Sequence, residues 1–238
     1  MVLASTLLLI WFGVARLPTS QRERVTTGSL LSFGLLGWFA LAYALGRQNV
    51  YWVPDNPTVP TLPLGILAPV IIGLVLMMRS ARIARLIDAL PLSWLVGVQF
   101  YRVLGGVFVV LWSAGRLPWQ FALPAGIGDI ATGILAVVVA GMFARSAAAA
   151  HGAARAWCLF GIGDLVVAVS MGALTSPGSI HFMALDAPNL LITAYPLVMI
   201  PTFAVPLSII LHGVCLWKLH RLRAVGRTSP ARPPLYDD

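Results

Sequence analysis

Seven long apolar runs, joined by short connections, limit what this chain can fold into more than any other feature. An α-helix needs roughly 20 apolar residues to cross about 30 Å of hydrocarbon. The runs are continuous and do not alternate between polar and apolar residues, which predicts helices and not barrel strands. The predicted spans are Val2–Leu17, Gly28–Gly46, Leu62–Met78, Leu92–Ala114, Trp119–Ala144, Ala156–Leu174 and Asn189–Leu219.

Composition places the chain in lipid. Of its 238 residues, 59% are hydrophobic and only 10% are charged, whereas a soluble domain carries roughly 25% charged residues. A soluble fold of this length could not bury so much apolar surface, so membrane lipid must solvate much of it. We therefore predict an all-α, polytopic transmembrane bundle over residues 1–222, followed by a short cytoplasmic tail at 223–238 that is expected to be disordered.

The basic residues alternate between the two ends of the predicted spans. The net charge is +8, and most arginines follow the first, third, fifth and seventh runs, while the opposite connections hold only Arg47 and Arg116. The positive-inside rule then places the N-terminus outside and the C-terminus in the cytoplasm, which requires an odd number of spans. We expect a multi-pass protein of the cell membrane, in a bacterium the inner membrane. Because the arginines form short clusters and no continuous face, no nucleic-acid partner is expected.

Two segments depart from plain spans. Residues 80–91 place their apolar side chains at helical offsets on one face, which predicts an amphipathic helix on the cytoplasmic leaflet. The seventh run contains several prolines, each of which removes a backbone donor. It is either one strongly kinked helix or an interfacial half followed by a span from about Thr202.

Three ionisable residues interrupt the apolar runs near the middle of the membrane. Arg102 lies about ten residues into the fourth run, Asp129 about ten into the fifth and Asp164 about eight into the sixth, so each is roughly 12 to 15 Å deep. An unpaired charge there costs at least about 2.5 to 3.5 kcal/mol. These side chains are therefore expected to face the bundle and one another.

The charge count suggests how such a site would work. One guanidinium neutralises one carboxylate, so ionised Asp129 and Asp164 beside Arg102 would leave an uncompensated negative charge at low dielectric. We predict that the two aspartates share a proton or bind a cation next to Arg102, with Gln99 as a supporting partner. Alternatively, the same charges only lock the register of the helices, without ligand or transport.

No cofactor and no metal site is predicted. Haem commonly needs a facing pair of histidines, and His212 is the one histidine clearly inside a predicted span. It is expected to be a hydrogen-bonded packing residue. The lone lysine, Lys218, lies at the cytoplasmic end of the last run, away from the midplane position that a retinal Schiff base needs.

Both aspartates close a Gly-Ile-Gly-Asp sequence, at residues 126–129 and 161–164. Each sequence resembles the GxGD signature of intramembrane aspartyl proteases, the presenilin and prepilin-peptidase class. The resemblance implies two aspartates on adjacent helices that activate a water molecule. That class carries one such signature, whereas this chain carries two, and the presenilin-type Tyr-Asp and Pro-Ala-Leu elements are not recognisable at the expected places.

Longer stretches resemble multi-pass bacterial membrane proteins of unassigned function. They are QFYRVLGG (Gln99–Gly106), LPAGIGDIATG (Leu123–Gly133) and ITAYPLVMIPTFAVP (Ile192–Pro206). This resemblance implies a family but supplies no activity.

The function that these features favour is a small-solute transporter or permease-like protein. Its substrate would be a small molecule or a proton, bound at the midplane by Arg102, Asp129 and Asp164 with the support of Gln99. A noncatalytic helper or assembly protein is the second interpretation, and an intramembrane aspartyl protease is the third. An enzyme is therefore not the leading expectation.

Overall fold

A computed structural model describes residues 1–52, 61–178 and 180–228. These residues form helices, and no strand occurs among them. Six of the helices are long and apolar enough to cross a membrane. The predicted polytopic helical bundle is therefore confirmed, with six such helices where seven spans were predicted, whereas its orientation stays a prediction.

The first predicted span forms a shorter helix than expected. Helix α1, Val2–Val14, has 13 residues, which cover roughly 20 Å and so fall short of the hydrocarbon thickness. It is therefore an apolar helix beside the six that are long enough to cross. Two long helices follow it, α2 at Gln21–Arg47 and α3 at Thr61–Arg79.

The amphipathic segment forms helix α4, Ala81–Ala89. Ser80 caps this helix, because its side chain accepts a hydrogen bond from the backbone N–H of Ile83. On the apolar face Leu86 and Leu90 are buried, and both lie within 2.8 Å of where a Cβ on Gly13 of α1 would stand. Protein, and not only lipid, therefore covers this face.

The fourth span changes its helical geometry at mid-length. Helix α5, Leu92–Gly97, continues into a 3-10 helix over Val98–Gly106 and then into α6, Val107–Ser113. A 3-10 run of 9 residues is long, because such helices rarely exceed three or four residues. Side chains three residues apart eclipse in this geometry, so Gln99 and Arg102 lie on one face.

Helices α7, Trp119–Met142, and α8, Ala147–Thr175, complete the centre of the bundle. Small residues let α7 approach the 3-10 helix closely. A Cβ on Gly126 would lie 3.2 Å from the backbone oxygen of Gly105, and one on Gly133 would lie 2.7 Å from a backbone nitrogen. This close approach brings side chains of α7, α8 and the 3-10 helix into one cluster.

The seventh run is not one kinked helix. It contains a 3-10 turn at Leu191–Thr193, a π-helical segment at Ile200–Ala204, and helix α9, Val205–Thr228. The membrane-length helix covers Ile200–Ala224, in agreement with the alternative that starts the span near Thr202. Helix α9 includes the first residues of the predicted tail, and residues 229–238 lie outside the described residues.

Candidate functional site

Arg102, Asp129 and Asp164 meet in the centre of the bundle. The Arg102 Nε donates to Asp129 Oδ1 at 2.7 Å, and Arg102 Nη2 lies 2.6 Å from the same oxygen. Nη2 also donates to Asp164 Oδ2. The 3-10 helix, α7 and α8 thus contribute one charged side chain each to a single ion-paired cluster, which we call the triad.

The guanidinium of Arg102 is fully engaged. Besides its bonds to the carboxylates, Nη1 donates to the Gly161 carbonyl oxygen at 3.1 Å and lies 3.3 Å from His212 Nε2. Each of the three guanidinium nitrogens therefore has at least one acceptor. Only 2% of the Arg102 side chain is exposed, so this cation is buried and balanced by its neighbours.

His212 joins the site from α9. For Nε2 to accept from Arg102, the imidazole must be neutral and carry its proton on Nδ1. The ring packs on Trp157 with 4.6 Å between centroids, and Trp157 Nε1 donates to the Thr132 carbonyl at 2.9 Å. The sequence predicts a packing role for His212 but not its contact with Arg102. The feature that could have pointed to this contact is that His212 is the one histidine clearly inside a predicted span.

Two glycines of the Gly-Ile-Gly-Asp sequences make room for the site. A Cβ on Gly128 would lie 1.7 Å from Asp164 Oδ1, and one on Gly161 would lie 2.4 Å from His212 Nε2. The equivalent position on Gly163 meets no atom of the described residues within 4 Å. Packing thus accounts for the small residues at 128 and 161, while Gly163 faces away from the bundle.

The arrangement differs from what the protease resemblance implies. Aspartyl proteases place two carboxylates side by side, so that they share one proton. Here both Asp129 and Asp164 contact Nη2 of Arg102. A permanent cation therefore lies between the carboxylates, where the shared proton and the attacking water would be needed.

A cavity of about 520 Å³ reaches the triad from one end of the bundle. We call this the outer end; it holds Trp119 and Thr175, and the charge pattern predicts that it faces outside. Asp129 lines the cavity and keeps 14% of its side chain exposed. The walls are mostly apolar and include Ile66, Phe108, Phe121, Leu165, Ala168 and Ile192.

Polar side chains continue from the triad away from the outer end. Gln99, Thr132 and His212 are fully buried, and the helix directions place them about one turn beyond the triad. Both amide atoms of Gln99, the Thr132 hydroxyl and His212 Nδ1 have no hydrogen-bond partner within the described part of the chain. Gln99 therefore shares a face with Arg102 without bonding to the triad, and water is the partner such groups usually find.

The described ranges contain no group of three or more His, Cys, Asp or Glu side chains that could hold a metal ion. Cys158 and Cys215, the two cysteines, are both buried in the core between α8 and α9. The chemistry that the site offers is thus hydrogen bonding and charge pairing by the triad.

Comparison with known proteins gives a family without an activity. A family model described as a domain of unknown function (DUF8737) matches residues 59–220. The matched region covers more than half of the chain and includes the triad, His212 and the cavity walls. No curated protein and no solved structure matches the chain.

Proposed function

We propose that this chain, which belongs to the DUF8737 family, is a multi-pass membrane transporter of small solutes, with the triad as its binding site. The observation that carries the proposal is the double position of Asp129, which pairs with Arg102 and also lines the outer cavity. A charge that only joins helices gains nothing from a cavity at its side, whereas a binding group needs one.

The charge of the triad supports coupling to protons. Two carboxylates, one guanidinium and a neutral His212 carry one net negative charge when both aspartates are ionised. That charge is unfavourable at low dielectric, so a proton or a cationic solute binds there to neutralise it. A solute that arrives as a cation at Asp129 would displace the proton, which couples the two movements.

Features on both sides of the triad support alternating access. The outer cavity leads to Asp129, and the unpaired polar atoms of Gln99, Thr132 and His212 lie on the opposite side. Broken helical geometry near a midplane site is a feature of transporters. Here the 3-10 helix carries Arg102, and the π-helical segment borders the cavity.

A noncatalytic helper or assembly protein is the second candidate. The complete pairing of Arg102 favours it, because a buried and saturated arginine is what a purely structural ion pair between helices would show. In that case Asp129 would have no ligand, and the cavity would be filled by lipid chains.

Flux measurements in liposomes that contain the purified chain and a trapped pH-sensitive dye separate the two candidates. Organic cations, organic anions and neutral solutes are added outside, one class at a time. We expect one class to change the internal pH in liposomes with the wild-type chain and with Gly163→Ala, but not with Asp129→Asn. If no solute class changes the internal pH of liposomes with the wild-type chain more than that of empty liposomes, the proposed transporter is refuted and the helper protein is favoured.

A further inference from the structure

The lining of the outer cavity indicates which class of solute binds there. That this solute is transported rests on the proposed function. We infer that the cavity binds a monovalent organic cation with an apolar body, whose charged group pairs with Asp129.

The walls select an apolar body. Phe108 and Phe121 pack edge to face with 5.0 Å between their centroids, and both line the cavity beside Leu165 and Ile192. The volume of about 520 Å³ lies within the usual range for sites that enclose small organic ligands. Phe121 precedes Asp129 by two helical turns, so a ligand bound at both positions extends over roughly 12 Å.

The hydroxyl groups in the cavity walls already donate hydrogen bonds to backbone carbonyls. Thr61 Oγ1 donates to the Val50 carbonyl at 3.0 Å, and Thr193 Oγ1 donates to the Leu190 carbonyl at 2.9 Å. Ser176 Oγ donates to the Asn189 carbonyl at 2.9 Å. Because these hydroxyl protons are engaged, the cavity offers an anionic ligand little to bind.

Asp129 is the one charged side chain in the lining among the described residues. Both of its contacts with Arg102 end on Oδ1. Oδ2, which lies beside Gly105, has no hydrogen-bond donor within the described part of the chain and remains for a ligand. A cation at this oxygen balances the net negative charge of the triad. A divalent metal ion needs several oxygen ligands, which one carboxylate in an apolar cavity does not supply.

Calorimetric titration of the full chain in nanodiscs of zwitterionic lipid tests the inference. The probes are 4-phenylbutylamine, which is protonated at neutral pH, and 4-phenylbutanol, which has the same apolar body without the charge. We expect the wild-type chain and Gly163→Ala to bind the amine more tightly than the alcohol. Asp129→Asn should weaken binding of the amine about tenfold or more and leave the alcohol unchanged.

A second variant removes the cavity and keeps the charge. Ala168→Phe places a ring in the space that the ligand body would occupy, so it should weaken binding of both probes. This variant and the wild-type comparison of amine with alcohol decide the matter even if Asp129→Asn fails to fold.

The inference is overturned if the wild-type chain binds the alcohol as tightly as the amine, or if Asp129→Asn keeps the preference for the amine. Amine binding without any solute-driven pH change in liposomes supports the site and refutes the proposed transport. A pH change driven only by anions or neutral solutes supports transport and refutes the cation.

Discussion

Replacing Gly128 by alanine is expected to break the ion pair between Arg102 and Asp164. The new Cβ would lie 1.7 Å from Asp164 Oδ1 and 2.5 Å from its Cγ, far closer than any van der Waals contact allows. Gly128 lies on α7 and Asp164 on α8, so either the carboxylate leaves Arg102 or the two helices separate.

The magnitude follows from the burial of this pair. The side chains of Arg102 and Asp164 are only 2% and 6% exposed. Breaking a buried ion pair by displacing one partner costs about 3 to 5 kcal/mol. For a chain of this size, 1 kcal/mol corresponds to roughly 2 to 4 °C in the melting temperature, so Gly128→Ala should lower it by about 6 to 20 °C.

Gly163→Ala is the matched control, because Gly163 has the same position in the second Gly-Ile-Gly-Asp sequence. Its Cβ would meet no atom within 4 Å in the part of the chain that the structure describes, and alanine is favoured over glycine in a helix interior by about 0.5 to 1 kcal/mol. The melting temperature of this variant should stay the same or rise slightly.

Thermal unfolding can be followed with a thiol-reactive dye, because the two cysteines, Cys158 and Cys215, are buried in the folded chain. A stable Gly128→Ala variant, or equal losses in both variants, would refute the assigned packing of α7 against the triad. Packing would then no longer explain the glycines of the two Gly-Ile-Gly-Asp sequences.

Two further substitutions test contacts away from the triad. Lys218 donates to the carbonyls of Ile87 and Asp88 at 2.8 and 2.9 Å, so Lys218→Met should lower stability by about 2 kcal/mol or more. Arg221→Ala is its control, since the exposed Arg221–Asp88 pair contributes at most about 1 kcal/mol; equal thermal shifts would contradict this. The buried Tyr101 hydroxyl lies 2.9 Å from Ser208 Oγ, so Tyr101→Phe should cost about 1 kcal/mol in the same assay, and a neutral result would refute that bond.

The hydropathy of each run and the depth of the charged residues within it predicted most of the architecture. Both can be read from the sequence of one helix without knowing how the helices pack. An unpaired mid-membrane charge is unfavourable in every arrangement of the helices, so the meeting of Arg102 with Asp129 and Asp164 followed from depth alone. The amphipathic pattern of residues 80–91 likewise predicted α4. The length of α1 was overestimated because the apolar run continues past the residue where the helix ends.

The remaining features depend on how different helices fit together. The contact of His212 with Arg102 depends on the level at which the last helix starts, and the prolines near Thr202 left that start open. The 3-10 geometry around Arg102 has no distinct hydropathy signal. The outer cavity arises from spacing between helices, which no single run encodes.

Access of water to the outer cavity separates a transport site from a structural ion pair most directly. Ala168 lines the cavity, whereas Gly163 lies on the same helix and faces away from the bundle, so a cysteine is introduced at each position in turn. Because a thiol reacts as its thiolate, which forms in water and not in lipid, a membrane-impermeant maleimide added at the outer end should modify Ala168→Cys much faster than Gly163→Cys. Equal, negligible rates at both positions would mean a sealed or lipid-filled cavity and would contradict a water-accessible Asp129 site.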